Sequence, residues 1–493
     1  MRQLILIILS AYLSVPISAQ TTQVGSVEEE VLRSKQLQGT YDSLVSFTVR
    51  PLARGGKADW KKPDFAVLPI TLTQQYNSHH PYGWNDGAMI AAKGYQAMVS
   101  AGVYARYGLL EIQLRPEFVY AANPAYASNS QYGSGGKSFQ KLYPGQSSIR
   151  LNMGPVAIGV SSENLWWGPG YRSALLMSNN APGFGHVFFR TRKPVRTPIG
   201  SFEWQIIGGE LASNDALPYE NQNLVPNQII GKSRYYNGMV LSYHPKWVPG
   251  LFVGFTRAVQ SYTSYNNSAQ LNAFEKYVPV LALAIQKKNN LFDDTLYRDQ
   301  LASFFLRWVL PKAGTEFYAE YGFNDYGANT RDYLMSPTHS AAYTVGLKKI
   351  VSLRDTARLE LGFELTQMSE SPDRIVRPAG NWYVHGQISE GYTHQNQIMG
   401  AGAGFGTNVQ SAMATWVKGG RRLGLLIERL ERDPNTHANK WVDLGFGAQS
   451  QWTYQQMTIG LNIEFINSTN YLWEKGINKL NLHSRVSVGY RIK

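Results

Sequence analysis

The chain contains no cysteine. That excludes disulfides, thiolate metal sites, a thiol nucleophile and a lipid-modified N-terminal cysteine. Charge is also sparse: 16% of the 493 residues, below the usual level for a globular domain. Long apolar runs are missing too. Mean hydropathy is −0.28, and past the N-terminus the uncharged apolar stretches reach only strand length, so no membrane-spanning helix is expected. Helical periodicity is scarce, and no repeat recurs at a fixed long period. Nor does a Pro/Ser run or a charge block cut the chain into the roughly two to four soluble domains its length would suggest.

Catalytic and metal-binding patterns are lacking as well. The nine histidines are scattered, and none has the spacing of a zinc site. His79-His80 reads as turn surface. There is no Gly-x-Ser-x-Gly elbow, and Gly402-Ala-Gly404-Phe-Gly406 lacks the lysine and the strand-to-helix context of a phosphate loop. Glu360 and Glu364 fall on one face of a strand pattern, which by itself is no glycosidase signal. No cofactor, no metal and no enzyme activity are expected.

What the chain does have is aromatics (13%), 46 Gly and 30 Tyr. From Phe65 onward a period of two dominates. Leu359, Leu361, Phe363 and Leu365 alternate with Arg358, Glu360, Gly362 and Glu364. Met457, Ile459, Leu461, Ile463 and Phe465 alternate with Thr458, Gly460, Asn462 and Glu464. Successive side chains on a strand point to opposite faces, so one face is apolar and the other carries both signs of charge. A soluble sandwich shows the same alternation, but mixed charge suits a polar lumen better.

Connections alternate between short and long. Short ones fall near Tyr107-Gly108, Met153 to Pro155, Lys193 to Ile199, Pro245 to Gly250, Leu310 to Gly314, Leu353 to Thr356, Gly419-Gly420 and Gln449 to Gln451. Long ones fall near 77–94, 121–146, 162–183, 212–233, 260–299, 323–339, 367–407, 432–439 and 466–483. This is the rhythm of a transmembrane barrel, with short periplasmic turns and long external loops. The strands between these connections are all antiparallel. Within 260–299, Tyr277 to Ile285 fits a strand, a tall loop strand or a helix. The terminal alternation of Val486, Val488, Tyr490 and Ile492 offers a last strand that closes on the first.

The N-terminal part differs. Residues 1–19 read as a cleaved signal peptide: Arg2, an apolar core from Leu4 to Val15, and Ile17-Ser18-Ala19 before the cut. Residues 20–64 read as a small helical periplasmic element. In it Ser26 and Glu29 form a capping-box pattern, and Glu28 to Leu37 follows as a helix. Residues 65–493 are the barrel.

One stretch stands apart. Ser161 to His186, SSENLWWGPGYRSALLMSNNAPGFGH, has neither helical nor strand period and is rich in Trp, Gly, Pro and Asn. It reads as an ordered loop that folds into a cavity. Flat aromatics beside planar amides and carboxylates are also what sugar recognition needs. Trp166, Trp167, Glu163, Asn164, Asn179 and Asn180 supply both, and Tyr82, Trp84 and Asp86 repeat the composition. A packing plug without a ligand is the competing reading.

ENLWWGPG followed by NNAPGF resembles the signature of the Wzi capsule-assembly family. The resemblance implies an outer-membrane barrel of about 18 strands, acting as a lectin that helps anchor capsular or other surface polysaccharide. It also implies contact with outer-membrane lipid and assembly by the outer-membrane barrel machinery. A diffusion channel is the alternative. The net charge of +13 favours an acidic polysaccharide as ligand, or attraction to anionic lipid. Nucleic acid is not expected for an exported chain with so little clustering of bases.

Overall fold

The computed structural model describes residues 21–492 apart from 54–62, 128–134, 214–232, 269–270, 286–297, 325–334, 337, 371–379, 387 and 436. The signal-peptide reading lies outside the described residues. Eighteen antiparallel strands form a closed barrel. They are β1 (Asp64–Asn77), β2 (Gly94–Tyr107), β3 in two halves (Leu110–Leu114 and Glu117–Ala121), β4 in two halves (Phe139–Tyr143 and Ser148–Met153) and β5 (Val156–Ser161). Then come β6, also broken (His186–Thr191 and Val195–Thr197), β7 (Gly200–Leu211), β8 (Arg234–Pro245), β9 (Leu251–Tyr262), β10 (Asp299–Leu310), β11 (Thr315–Asn324) and β12 (Ala341–Ser352). The last six are β13 (Arg358–Gln367), β14 (Asn408–Lys418), β15 (Arg421–Arg432), β16 (Trp441–Tyr454), β17 (Met457–Thr469) and β18 (Lys479–Tyr490). β18 pairs with β1 from His483 opposite Asn77 to Tyr490 opposite Ile70, so neither sheet edge is left open.

The alternation sets the facing. Leu361 and Phe363 are exposed on the outer wall, and Ile459 and Leu461 share that face. Glu360, Glu364 and Glu464 are buried on the inner one. The bulge in β1 falls between Leu68 and Thr71, where Pro69 lacks the N–H that a regular ladder needs.

Two sequence expectations change and one left open is settled. The β16–β17 turn is at Gln455-Gln456, not Gln449 to Gln451. Gln449 and Gln451 continue the inner face begun by the buried Asp443, and a polar lumen lets a strand carry glutamine. The long connection expected at 121–146 holds the first half of β4, paired with β3. Within 260–299, Pro279–Ile285 is a helix. Its Pro279 sits where a missing N–H costs nothing. Val280 packs on the outer wall against Met239 and Val259, and its N–H donates to Asn237 Oδ1 (3.1 Å).

The N-terminal helix, α1 (Val27–Leu37), begins at Ser26, whose hydroxyl accepts the Glu29 N–H. Its first turn is acidic, which suits the positive end of a helix. α1 lies in the short-turn mouth of the barrel: Arg33 pairs with Glu316 of β11, Ser34 donates to Glu360 of β13, and Glu30 pairs with Arg422 of β15. Residues 41–53 form no helix, and Val49–Arg50 pairs instead with Trp166–Trp167.

Candidate functional site: the loop that crosses the lumen

The β5–β6 connection, 162–185, turns inward. Asn164 ties its ends together: its N–H donates to Gln146 Oε1 and its Nδ2 to Ala181 O. Trp167 is fully buried. Its indole N–H donates to Gln205 Oε1 of β7 (3.0 Å), and its ring lies on Gly238, where an added Cβ would come within 2.7 Å. Burying one such ring stabilises by on the order of 4–5 kcal/mol before entropy is counted. Trp166 packs under the Arg50 guanidinium, 4.6 Å from the ring centre. Arg50 also donates to the carbonyls of Gly168 and Gly170 (both 3.1 Å), and Arg33 to that of Pro169 (2.6 Å). Gly168 has φ +110°, a conformation that side chains resist, and a Cβ there would press on Glu320 Oε2 at 2.9 Å.

Carboxylates of the inner wall hold the rest. Glu364 of β13 accepts the successive N–H groups of Tyr171 (2.7 Å), Arg172 (3.1 Å) and Ser173 (2.7 Å), and the Tyr318 hydroxyl (2.8 Å). Consecutive backbone N–H groups make an anion-binding concavity; here the wall supplies the anion. Glu320 of β11 accepts the Leu175 N–H (3.1 Å). Glu428 of β15 pairs with Arg172 (2.7 Å), helped by Ser411 and Tyr82. The loop is thus fastened at the break in β4 and to β7, β11, β13 and β15.

The connection between β13 and β14 packs on top of it. Tyr383 donates to Leu175 O (2.8 Å) and accepts the Ala401 N–H (2.8 Å), while Asn180 Nδ2 donates to Ile398 O (2.9 Å). From the β1–β2 connection, the Asn85 N–H donates to Asn180 Oδ1 (3.2 Å). His394 accepts the Ala212 N–H, and burial holds it well below its ordinary value, at about 3. His80 is likewise buried, against Tyr471 rather than on a turn surface, and held at about 3.

The sequence reading put nine residues forward for sugar contact, and the structure gives most of them internal work. Trp166, Trp167, Glu163, Asn164, Asn180, Tyr82 and Asp86 are all buried. Asp86 is held by Gln75 and Arg485, and Glu163 by Thr21 and Ser161, whereas the buried Trp166 indole N–H has no partner among the described residues. Trp166 and Trp167 have no ring face left open in this conformation, because indoles of that size are what fills the lumen. Trp84 and Asn179 are only half-buried. They adjoin Asn85, of the same composition, and Arg172, which composition did not single out. Arg172 stands 5.1 Å over the Trp84 ring, Asn85 Nδ2 donates to Arg172 O, and Asn179 Nδ2 donates to Asn85 O. The sequence offered no signal for Arg172, because its partner Glu428 lies 256 residues away.

Charge is distributed unlike the expectation. The nine connections on the side of the long loops carry thirteen Lys or Arg against fourteen Asp or Glu, a net of −1. The +13 of the chain is therefore carried elsewhere, and it gives no ground for an acidic ligand on that side. No group of three or more His, Asp or Glu suited to a metal occurs among the described residues.

A closed barrel of this size with an apolar outer wall and a charged inner one is a bacterial outer-membrane protein. Residues 72–475 match the family model of the capsule assembly protein Wzi, and the chain belongs to that family. Wzi of Escherichia coli, described as a carbohydrate-binding β-barrel involved in group 1 capsule assembly, has a similar fold: TM-score 0.65 at 11% identity, over 96% of this chain and 100% of that one. Less similar are OprD of Pseudomonas aeruginosa (TM-score 0.43, 8% identity, 88% and 95% covered) and OccAB4 of Acinetobacter baumannii (0.41, 10%, 88% and 99%). No curated protein matches the chain.

Proposed function

We propose that the protein binds a surface polysaccharide at the cell exterior and helps its assembly or attachment there, without processing it. Membership of the capsule-assembly family carries this reading. The half-open group of Trp84, Asn85, Arg172 and Asn179 is the part of the candidate site best suited to a sugar: an aromatic face, two amides and a guanidinium within one another's reach. The alternative, a diffusion channel, is disfavoured by the loop fastened across the lumen. The test is a deletion strain complemented with wild type or Trp84→Ala, scoring cell-attached against released polysaccharide. Attachment restored by wild type and weakened by Trp84→Ala is expected. Loss of small-solute uptake with attachment intact in the deletion strain would replace this reading with the channel. Shortened chains released by the purified protein would point to an enzyme.

A further inference from the structure

Part of the excess of base sits at the opposite end of the barrel. Five successive short turns, from β6–β7 round to β14–β15, each carry or adjoin a base. Arg196 precedes the first, Lys246 opens the second, Lys312 and Arg354 lie in the third and fourth, and Lys418 and Arg421 flank the fifth. All six are exposed, and none pairs with an acid among the described residues. The single acid in these five turns is Asp355. The remaining short turns, 108–109, 154–155 and 455–456, carry no charge. Arg192, which donates to Gly154 O, and the exposed Arg491, whose N–H donates to Gln456 O, stand beside two of these turns, so the bases are densest in the arc from β6 to β15 and thinner beyond it.

Large apolar side chains accompany them. Trp247, beside Lys246, is 67% exposed, and Ile199 and Leu353 in the neighbouring turns are also exposed. Trp308 stands on the outer wall just above Lys312, and Trp452 lies opposite Arg421 in the β15–β16 register. An exposed indole in a turn is costly in water but suits the boundary between hydrocarbon and headgroups. A base next to it lays its stem along the apolar wall and holds its charge among those headgroups. A soluble partner would meet a patch beyond the rim; this arc follows the wall itself.

We infer that the arc from β6 to β15 holds anionic phospholipid headgroups of the leaflet on the short-turn side, so that the barrel carries a fixed sector of acidic lipid. The test uses the full-length protein in equimolar phosphatidylcholine–phosphatidylglycerol vesicles, with spin-labelled versions of each lipid reporting the fraction immobilised at the wall. Wild type should prefer the phosphatidylglycerol label several-fold, and salt should reduce that preference. The triple variant Lys246→Gln, Lys312→Gln, Arg354→Gln should lose most of it, and Lys475→Gln, in a long loop, should lose none. Heat-modifiable migration in gels verifies that each variant is a folded barrel. Equal immobilisation of both labels by wild type, or an unchanged preference in the triple variant, overturns the inference. So does the finding that the triple variant loses binding of soluble polygalacturonate while its lipid preference stays, which would make the arc a polymer-binding surface.

Discussion

The wall and the loop that fills it are held by different physics. Each strand of the wall is bonded to both neighbours along nearly its whole length, as in the twelve pairs between β7 and β8. The loop of 162–185 has two residues in a ladder, and otherwise hangs from single carboxylates, the guanidinium groups of Arg33 and Arg50, and a few amides and hydroxyls. A wall spreads its stability over many equivalent bonds, whereas the loop concentrates its own in a few groups. Changes that attack the wall must therefore alter its relation to lipid, while changes at one anchor should free the loop and leave the wall standing.

The largest effect is expected at the lipid face. Leu461→Arg places a charge near the middle of β17's outer face, a cost of about 2–4 kcal/mol at the bilayer midplane. Reduced insertion into the outer membrane should follow, read from heat-modifiable protein in membrane fractions. Normal assembly of Leu461→Arg would mean that the facing deduced from the alternation is reversed.

Next comes the anchor. Glu364→Ala leaves the buried Ser173 N–H without an acceptor, at roughly 1–3 kcal/mol, and the part-buried N–H groups of Tyr171 and Arg172 as well, at less. The loop should then become cleavable by added protease and single-channel conductance should rise, with the barrel still folded. Gly168→Val, which forces a side chain against Glu320 at an unfavourable φ, should do the same locally. Should either variant lose the barrel along with the loop, the two regions are one cooperative unit and the comparison fails.

The same contrast explains what the sequence could and could not disclose. A period of two is local, so the facing of Leu361, Glu364 and Leu461 follows from neighbours a few residues apart. The inward fold of 162–185 was legible from its Trp, Gly and Pro. Its partners were not: Glu320, Glu364 and Glu428 lie 145, 191 and 256 residues from the groups they hold. Composition also cannot distinguish an indole that meets a sugar from one that fills a lumen, so the sequence leaves both readings open for Trp166 and Trp167. Net charge likewise says nothing of which end of the barrel carries it.

A smaller effect separates the loops from the wall by pH. His80 and His394 are neutral and buried, both held at about 3 by loss of hydration. Their folded values lie below the ordinary value near 6.5, so the stability they contribute is complete above about pH 6.5 and falls as pH drops from there toward 3. Amide exchange in 78–93 and 391–399 should accelerate over that window before exchange in the strands does. A His80→Gln variant should flatten the response of the first segment. If the strands lose protection first, the histidines are not what limits the loops.

The smallest effect is expected where an ion pair stands in water. Lys440 reaches Glu431 at 3.2 Å, but the lysine side chain is 65% exposed. Such a pair gains little over its hydrated partners and is screened by salt, so Lys440→Ala should change stability by no more than about 0.5 kcal/mol. Arg33 and Glu316 meet at 3.0 Å with almost no exposure, and removing Arg33 strands a buried carboxylate at a cost of about 3–5 kcal/mol. Arg307, which also pairs with Glu316, offsets part of that cost, so Arg33→Ala should fall toward the lower figure. Denaturation of the two variants in parallel, followed by tryptophan fluorescence, measures both. A Lys440→Ala loss as large as that of Arg33→Ala would show that distance governs these pairs; the expected disparity would show that it is burial.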